Sequence, residues 1–215
     1  MTSRVASVIV PGNIRYRMAS PAPAKSAPLQ PDDWIRAAFV RLSSEGVDSV
    51  RIEVLARDMA VSKGSFYWHF TDREDLLAKL LARWAEGEME WLDRAMAENE
   101  SAALRWALFV ERTSDANRAR IEVAMRNWAR RDHAAASHLT AIEHKQARFI
   151  AGVLQDTGFA RAAAEYWAEI VQLACLGWMD RTTRGVESQL PGATLGEFLS
   201  ELILAASVRS SALNH

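Results

Sequence analysis

The segment Ser62–His69 gathers a lysine, a glycine, two serines, a tyrosine, a tryptophan and a histidine around a single phenylalanine. A helix buried in a core would carry aliphatic side chains there. These groups instead suit the edges and phosphates of duplex DNA. Lys63 can donate to guanine O6 or N7, Trp68 can pack on a thymine methyl, and Gly64 lets the backbone come close with Ser65 beside it. Ser62, Tyr67 and His69, with Arg73 and Arg51 on either side, can hold phosphates and fix the register. The bland alternative is that Phe-Tyr-Trp-His-Phe forms a packed aromatic corner, and short helix pairs of this kind occur in many helical proteins.

Positioning such a segment needs a platform, and the flanking residues supply one. Ile52, Leu55, Ala56 and Met59 recur at helical spacing and give a short amphipathic helix, with Ala56 small enough for a close crossing. Ala60-Val61 makes a turn, and Ser62 is placed to cap a second helix predicted over Lys63–Phe70. Phe66 and Phe70 face inward with Val61. Thr71-Asp72-Arg73-Glu74 reads as a T-x-x-E capping box that starts the next helix.

This run resembles the DNA-binding domain of the TetR (tetracycline-repressor-like) family of bacterial transcription regulators. The matching residues are Ala56, Val61-Ser62-Lys63-Gly64-Ser65, Tyr67, His69-Phe70 and Leu76-Leu77, together with Trp34, Ile35, Ala37, Ala38, Phe39 and Leu42 of a preceding helix ending at Gly46. The resemblance covers roughly residues 28–88. Ala60 departs from it, since the family usually has a turn glycine; a positive φ at alanine costs about 1 kcal/mol. Arg73 stands where lysine is commoner, and the charge is kept.

A chain of 215 residues accommodates three parts. These are a basic N-terminal arm over 1–27, a helix-turn-helix DNA-binding domain over 28–88 (the motif itself at about 51–70), and an effector-binding and dimerisation domain over 89–215. The arm carries Arg4, Arg15, Arg17 and Lys25 with no acid and is rich in Pro, Ala and Ser, so it is expected to be disordered. It either reaches phosphates or is a solvated tail, and a true start at Met18 is an open alternative. The formal net charge of −1 does not mark the whole chain as a polyanion binder. The hydrophobic fraction of 49% is enough for a core, and no apolar run is long enough to span a membrane. The lone Cys175 has no internal disulfide partner and reads as a small buried hydrophobe of a cytoplasmic protein.

Beyond the capping box, helix follows helix: Glu74–Arg94 as a connector, then Ser101–Arg112, Arg118–Arg131, Asp132–Asp156, Ala160–Thr183 and Thr194–Ser207. The arginines of Arg118–Arg131 are expected to lie mostly on a solvated face. No sustained strand alternation appears, so the fold class is all-α: a three-helix helix-turn-helix domain joined by a connector helix to a helical domain. Ala164, Trp167, Ala168, Val171, Ala174 and Trp178, with Phe198, Leu199, Leu202 and Ile203, form two stripes. These suit either a four-helix dimer interface or an intramolecular seam. A two-fold dimer reads two half-sites, which favours the interface. Eight tryptophans are present, six of them beyond residue 80. Trp106, Phe109, Met125, Trp128, Phe149 and Tyr166 are the candidate lining of an apolar cavity, and the resemblance implies a small-molecule effector there.

No hydrolase, phosphate-loop, zinc or di-iron signature occurs, so no catalytic residue, metal or cofactor is called for. The reading is a homodimeric, cytoplasmic DNA-binding transcriptional regulator on a palindromic operator, a repressor released by an effector and associated with the nucleoid through its operator. A helical ligand-binding protein or all-α enzyme with an inactive DNA-binding module is the alternative.

Overall fold

Seven α-helices carry named boundaries in the computed structural model, which describes residues 7–10, 14–17, 29–97, 101–186, 194–201 and 203. They are α1 (Pro31–Glu45), α2 (Ile52–Asp58), α3 (Arg73–Ala97), α4 (Ala102–Ser114), α5 (Ala116–Ala129), α6 (His133–Asp156) and α7 (Arg161–Thr183). Residues 195–201 and 203 are also helical. The all-α class therefore holds for the body of the chain. Within residues 1–27, two short strands are described, β1 (Ser7–Val10) and β2 (Ile14–Arg17), paired antiparallel with Ser7 opposite Arg17. Branched Val8, Ile9, Val10 and Ile14 suit the pleat, and the segments are too short to announce themselves by alternation. Arg4, Met18 and Lys25 lie outside the described residues.

The chain divides into two compact units. The first comprises Met1–Glu88 with Arg120–Leu139, the second Met89–Ala119 with Thr140–His215.

In the first unit, Pro31 opens α1 with its fixed φ, and the Asp33 carboxylate takes the backbone N–H of Gln30 at 2.8 Å. Gly46 ends the helix at φ 81°, a left-handed position that glycine fills without Cβ strain. Trp34, Ala38, Phe39 and Leu42 form one buried stripe along α1. Leu55 and Ala56 of α2 are buried too, while Ile52 and Met59 are half-buried. The start of α3 adds Leu76, Leu77, Leu80, Leu81 and Trp84 to this core. The capping box is displaced by one residue from its expected place. Asp72 takes the Asp75 N–H at 2.8 Å, and the Asp75 carboxylate takes the Thr71 N–H at 3.0 Å. The shorter Asp pair closes the box where Thr71 and Glu74 were expected to, and Glu74 points to solvent.

In the second unit, Ser101 caps α4 by accepting from the Leu104 N–H at 3.4 Å. Gly158 at φ 102° closes α6, with the Phe159 N–H donating back to Leu154 at 3.1 Å and Phe159 buried beside it. Gly196 lies so near α4 that a Cβ there would come within 2.9 Å of Val110. α5 is divided between the two units at Ala119 and Arg120. Of the arginines over Arg118–Arg131, Arg120, Arg130 and Arg131 are exposed, as expected of a mostly solvated face, whereas Arg118 is buried and Arg126 half-buried, the latter 2.9 Å from the buried Glu122.

Candidate nucleic-acid interface

Residues Lys63–Trp68 form a 3-10 helix, not the α-helix expected over Lys63–Phe70. His69 stands at its end, donating its N–H to Phe66 at 2.9 Å. The tighter wind follows from the sequence. Gly64 gives little helical preference, and the aromatic run gains more from reaching the platform than from a regular α-turn. Phe66 is fully buried and meets Trp34 edge-on at 5.2 Å, with Phe70 stacked on it at 5.1 Å. Those two phenylalanines clamp the segment, and its other side chains are thereby turned outward.

The turn before it is strained as anticipated: Ala60 adopts φ 55°. The Val61 N–H donates to Ala56 at 2.9 Å, closing the reversal between α2 and the 3-10 helix.

The outward residues fall into distinct groups. Trp68 is 86% exposed and Tyr67 60% exposed, with Tyr67 edge-on to Phe66. Such exposure of two large aromatics costs solvation free energy in the free protein and suits a surface that is covered in a complex. Lys63 is exposed, and its Nζ lies 2.9 Å from Glu53 Oε1 on α2. Gly64 is open, a Cβ there meeting only Ser62 Oγ at 3.6 Å. Arg51 is exposed, its Nε donating to the Asp48 carbonyl at 3.1 Å. His69 is half-buried beside the Phe70 ring.

Three residues sit differently from their sequence reading. Ser62 occupies the cap position with extended φ and ψ, but its hydroxyl caps nothing; its carbonyl accepts from the Ser65 N–H instead. Ser65 is turned inward, its Oγ buried without a hydrogen-bond partner, away from any base edge. Arg73 donates from Nε to the Val50 carbonyl at 2.6 Å and from Nη2 to the Val47 carbonyl at 2.9 Å. Its guanidinium ties the α1–α2 connection to the start of α3, which leaves less of it for phosphate.

Lys79 was not singled out in the sequence. Its Nζ lies 2.9 Å from Asp75, 3.4 Å from the His69 carbonyl oxygen and 4.9 Å from the Phe70 ring centroid. Its ammonium is the main reason the Asp75 carboxyl is held below the ordinary range, followed by the Thr71 N–H. The signal was present as an Asp–Lys pair at i,i+4. Glu53 was also missed, because a glutamate in the first turn of a helix reads as ordinary dipole matching.

The six candidate effector residues are divided between the two units. Met125 and Trp128 belong to the first unit and are buried there. In the second unit Phe109 and Phe149 are buried with ring centroids 6.0 Å apart, and the half-buried Trp106 stacks on Phe109 at 5.7 Å. Tyr166 is 64% exposed and lines no interior. Trp91, not anticipated, continues the aromatic run at 5.8 Å from Phe149, with the Arg112 guanidinium 4.5 Å over its ring. A separate open groove of about 480 Å³ lies between α6 and α7, bordered by Arg148, Gly152, Gln155, Arg161 and Glu165.

The candidate dimer stripes split in the same way. Ala164, Ala168, Val171 and Leu199 are buried within the single chain and so form an intramolecular seam. Trp167, Ala174, Trp178 and Ile203 are half-buried, and Phe198 is 40% exposed. Leu202 lies outside the described residues. The open apolar face of α7 is Tyr166, Ile170 and Leu173 leading to Gly177, where a Cβ would meet nothing.

Among the described residues no group of His, Cys, Asp or Glu could hold a metal ion, and no helix is long and apolar enough to cross a membrane.

Comparison with known proteins places this geometry. Residues 35–80 match the family model of bacterial regulatory proteins of the tetR family. Curated protein sequences give no match. Among solved structures, a protein assigned as a transcriptional regulator from Saccharomonospora viridis, in complex with choline, superposes with a TM-score of 0.67 at 15% identity, covering 80% of this chain and 94% of that one. A TetR-family transcriptional regulator from Streptomyces coelicolor gives 0.60 at 15% identity, with 81% and 90% covered. The transcriptional regulator FadR from Bacillus subtilis, in complex with stearoyl-CoA, gives 0.55 at 15% identity, with 82% and 97% covered. At these identities the likeness is one of fold.

Proposed function

We propose that this chain, whose residues 35–80 match the family model of bacterial regulatory proteins of the tetR family, is a sequence-specific DNA-binding transcriptional regulator that acts as a homodimer. One observation carries the reading: Lys63, Tyr67 and Trp68 stand exposed on a segment clamped by buried Phe66 and Phe70. In the complex Tyr67, His69, Arg51 and Ser62 hold phosphates, while Lys63 and Trp68 face base edges across Gly64. Lys79 adds a further positive charge beside His69.

A single short recognition element reads few base pairs, so the protein pairs with a second copy on a palindromic operator. The exposed face of α7 through Tyr166 and Leu173 is the surface we assign to that pairing, with Trp167, Ala174, Trp178 and Phe198 at its margins. Control is repression lifted by a small molecule bound at the aromatic run Trp106, Phe109 and Phe149. The choline and stearoyl-CoA complexes of fold neighbours support the ligand class only as small molecules. α3 contributes residues to both compact units, as α5 and α6 also do, which makes it one covalent route between ligand and DNA contacts. Effector release follows only to the extent that the ligand prefers the non-binding conformation. The protein acts in the cytoplasm, at its operator.

A gel-shift titration with the DNA upstream of its own gene tests the reading. Selective binding that weakens steeply with salt is expected, and Tyr67→Ala is expected to weaken it without unfolding the protein. Sequence-blind binding insensitive to that change rejects the regulator and favours a ligand-binding protein.

A further inference from the structure

The lysine best placed to read a base is held by a carboxylate of its own chain. Lys63 Nζ lies 2.9 Å from Glu53 Oε1, across the turn between α2 and the recognition segment. We infer that Glu53 is a specificity-determining residue, which keeps Lys63 engaged in the free protein and yields it only to a DNA sequence offering a better acceptor. The inference rests on the regulator reading above and concerns the same surface.

Both side chains are more than half exposed, at 57% and 62%. An ion pair so placed adds little to folding, so its consequence is for binding. Glu53 is anionic at neutral pH, its carboxyl held below the ordinary range first by the hydrogen bond from Lys63 and then by a backbone hydrogen bond. A phosphate backbone approaching this surface therefore meets a lysine already neutralised, together with a negative charge. That opposition is the same for every sequence. The compensation is not: guanine O6 and N7 give Lys63 a new acceptor at the operator, and a duplex without guanine at that position gives none. Specificity is a difference between two affinities, and Glu53 acts by lowering the wrong one more.

The test uses full-length protein and two duplexes, one the tightest binder selected from a randomised pool and the other its scrambled counterpart. Glu53→Gln is expected to tighten binding to the scrambled duplex about three- to tenfold and to steepen its salt dependence by about one counterion. Binding to the selected duplex changes less, so the ratio between the two falls. In a Lys63→Gln background the same substitution is expected to do almost nothing. An equal gain in that background overturns the inference, because the carboxylate then repels DNA without acting through Lys63. Unchanged affinities in Glu53→Gln also overturn it, as does a loss on the selected duplex, which makes Glu53 itself a base reader. Failure to select any duplex defeats the regulator reading and this inference together. Successful selection of a duplex, with a selected-to-scrambled affinity ratio that is the same in Glu53→Gln as in the parent protein, defeats the inference alone.

Discussion

Arg73 and Val50 are joined by a 2.6 Å hydrogen bond from the guanidinium Nε to the backbone carbonyl oxygen, 23 residues back along the chain. A second bond from the same group reaches the Val47 carbonyl at 2.9 Å. The residue that looked like a phosphate contact is thus a brace between the α1–α2 connection and α3. Arg73→Met is expected to cost about 1–3 kcal/mol, the range for hydrogen bonds made by a charged donor with carbonyls left behind. Arg73→Lys recovers only part of it, since one ammonium cannot match two acceptors as a planar fork does. Urea denaturation checks both; a midpoint unmoved by Arg73→Met would return the arginine to the DNA.

Ala60 sits at φ 55° with its side chain exposed. Glycine there removes the left-handed penalty while adding unfolded-state entropy, and the first effect is the larger. Ala60→Gly is expected to stabilise the first unit by about 0.5–1 kcal/mol, read as a higher melting temperature with DNA affinity preserved. A lower melting temperature contradicts it.

Local signals in the sequence carried far. Gly46 and Gly158 end their helices as read, the Ile52–Met59 stripe turns inward, and the strain at Ala60 follows from a residue type in a turn. Signals that need a partner carried less. A stripe through Ala164, Ala168 and Val171 says that a face is apolar, and one chain and two chains cover such a face equally well. Only coordinates reveal that the seam is internal and that Tyr166 and Leu173 remain open. Arg73 shows a similar limit: a long cation reaches carbonyls distant in sequence as readily as a phosphate. Spacing along the sequence likewise does not tell that Met125 and Tyr166 fold into different units. Ser65 was assigned outward by helical spacing, and the 3-10 wind turned it in.

Phe66 and Trp68 are two positions apart, one fully buried and the other 86% exposed. Their substitutions separate folding from recognition. Phe66→Ala is expected to destabilise by about 3–5 kcal/mol, as for a fully buried aromatic. Trp68→Ala is expected to leave stability within about 0.5 kcal/mol and to weaken operator binding. Paired melting and binding curves measure both, and a large stability loss in Trp68→Ala contradicts its place on the surface.

Leu173 and Val171 make the corresponding pair on α7, 62% exposed against fully buried. A carboxylate in the centre of a dimer interface is strongly unfavourable unless it is paired. Leu173→Glu is therefore expected to give a folded monomer by sedimentation velocity, with helical circular dichroism unchanged. Val171→Glu is expected to unfold the second unit, because the charge then lies in the internal seam. A dimer that survives Leu173→Glu moves the interface elsewhere.

Cys175 lies on the same helix, buried, and burial pushes its thiol up to about 12 from an ordinary value near 9. The neutral thiol is the form the folded chain accepts, so two consequences follow. At neutral pH the native protein is expected to resist a disulfide reagent such as 5,5′-dithiobis(2-nitrobenzoic acid), whereas protein in concentrated urea reacts fully. The pH dependence takes its sign from the raised value. The contribution is fully present below the unfolded value near 9, where both states hold the proton. It is lost as pH climbs from about 9 towards about 12, because only the unfolded chain ionises in that window. Cys175→Ala removes the titrating group. Its stability is therefore expected to fall less steeply across that window than the parent's when both are measured by urea denaturation at a series of pH values. Parallel profiles for the two proteins, or rapid labelling of the native thiol, place Cys175 in contact with solvent and refute its burial.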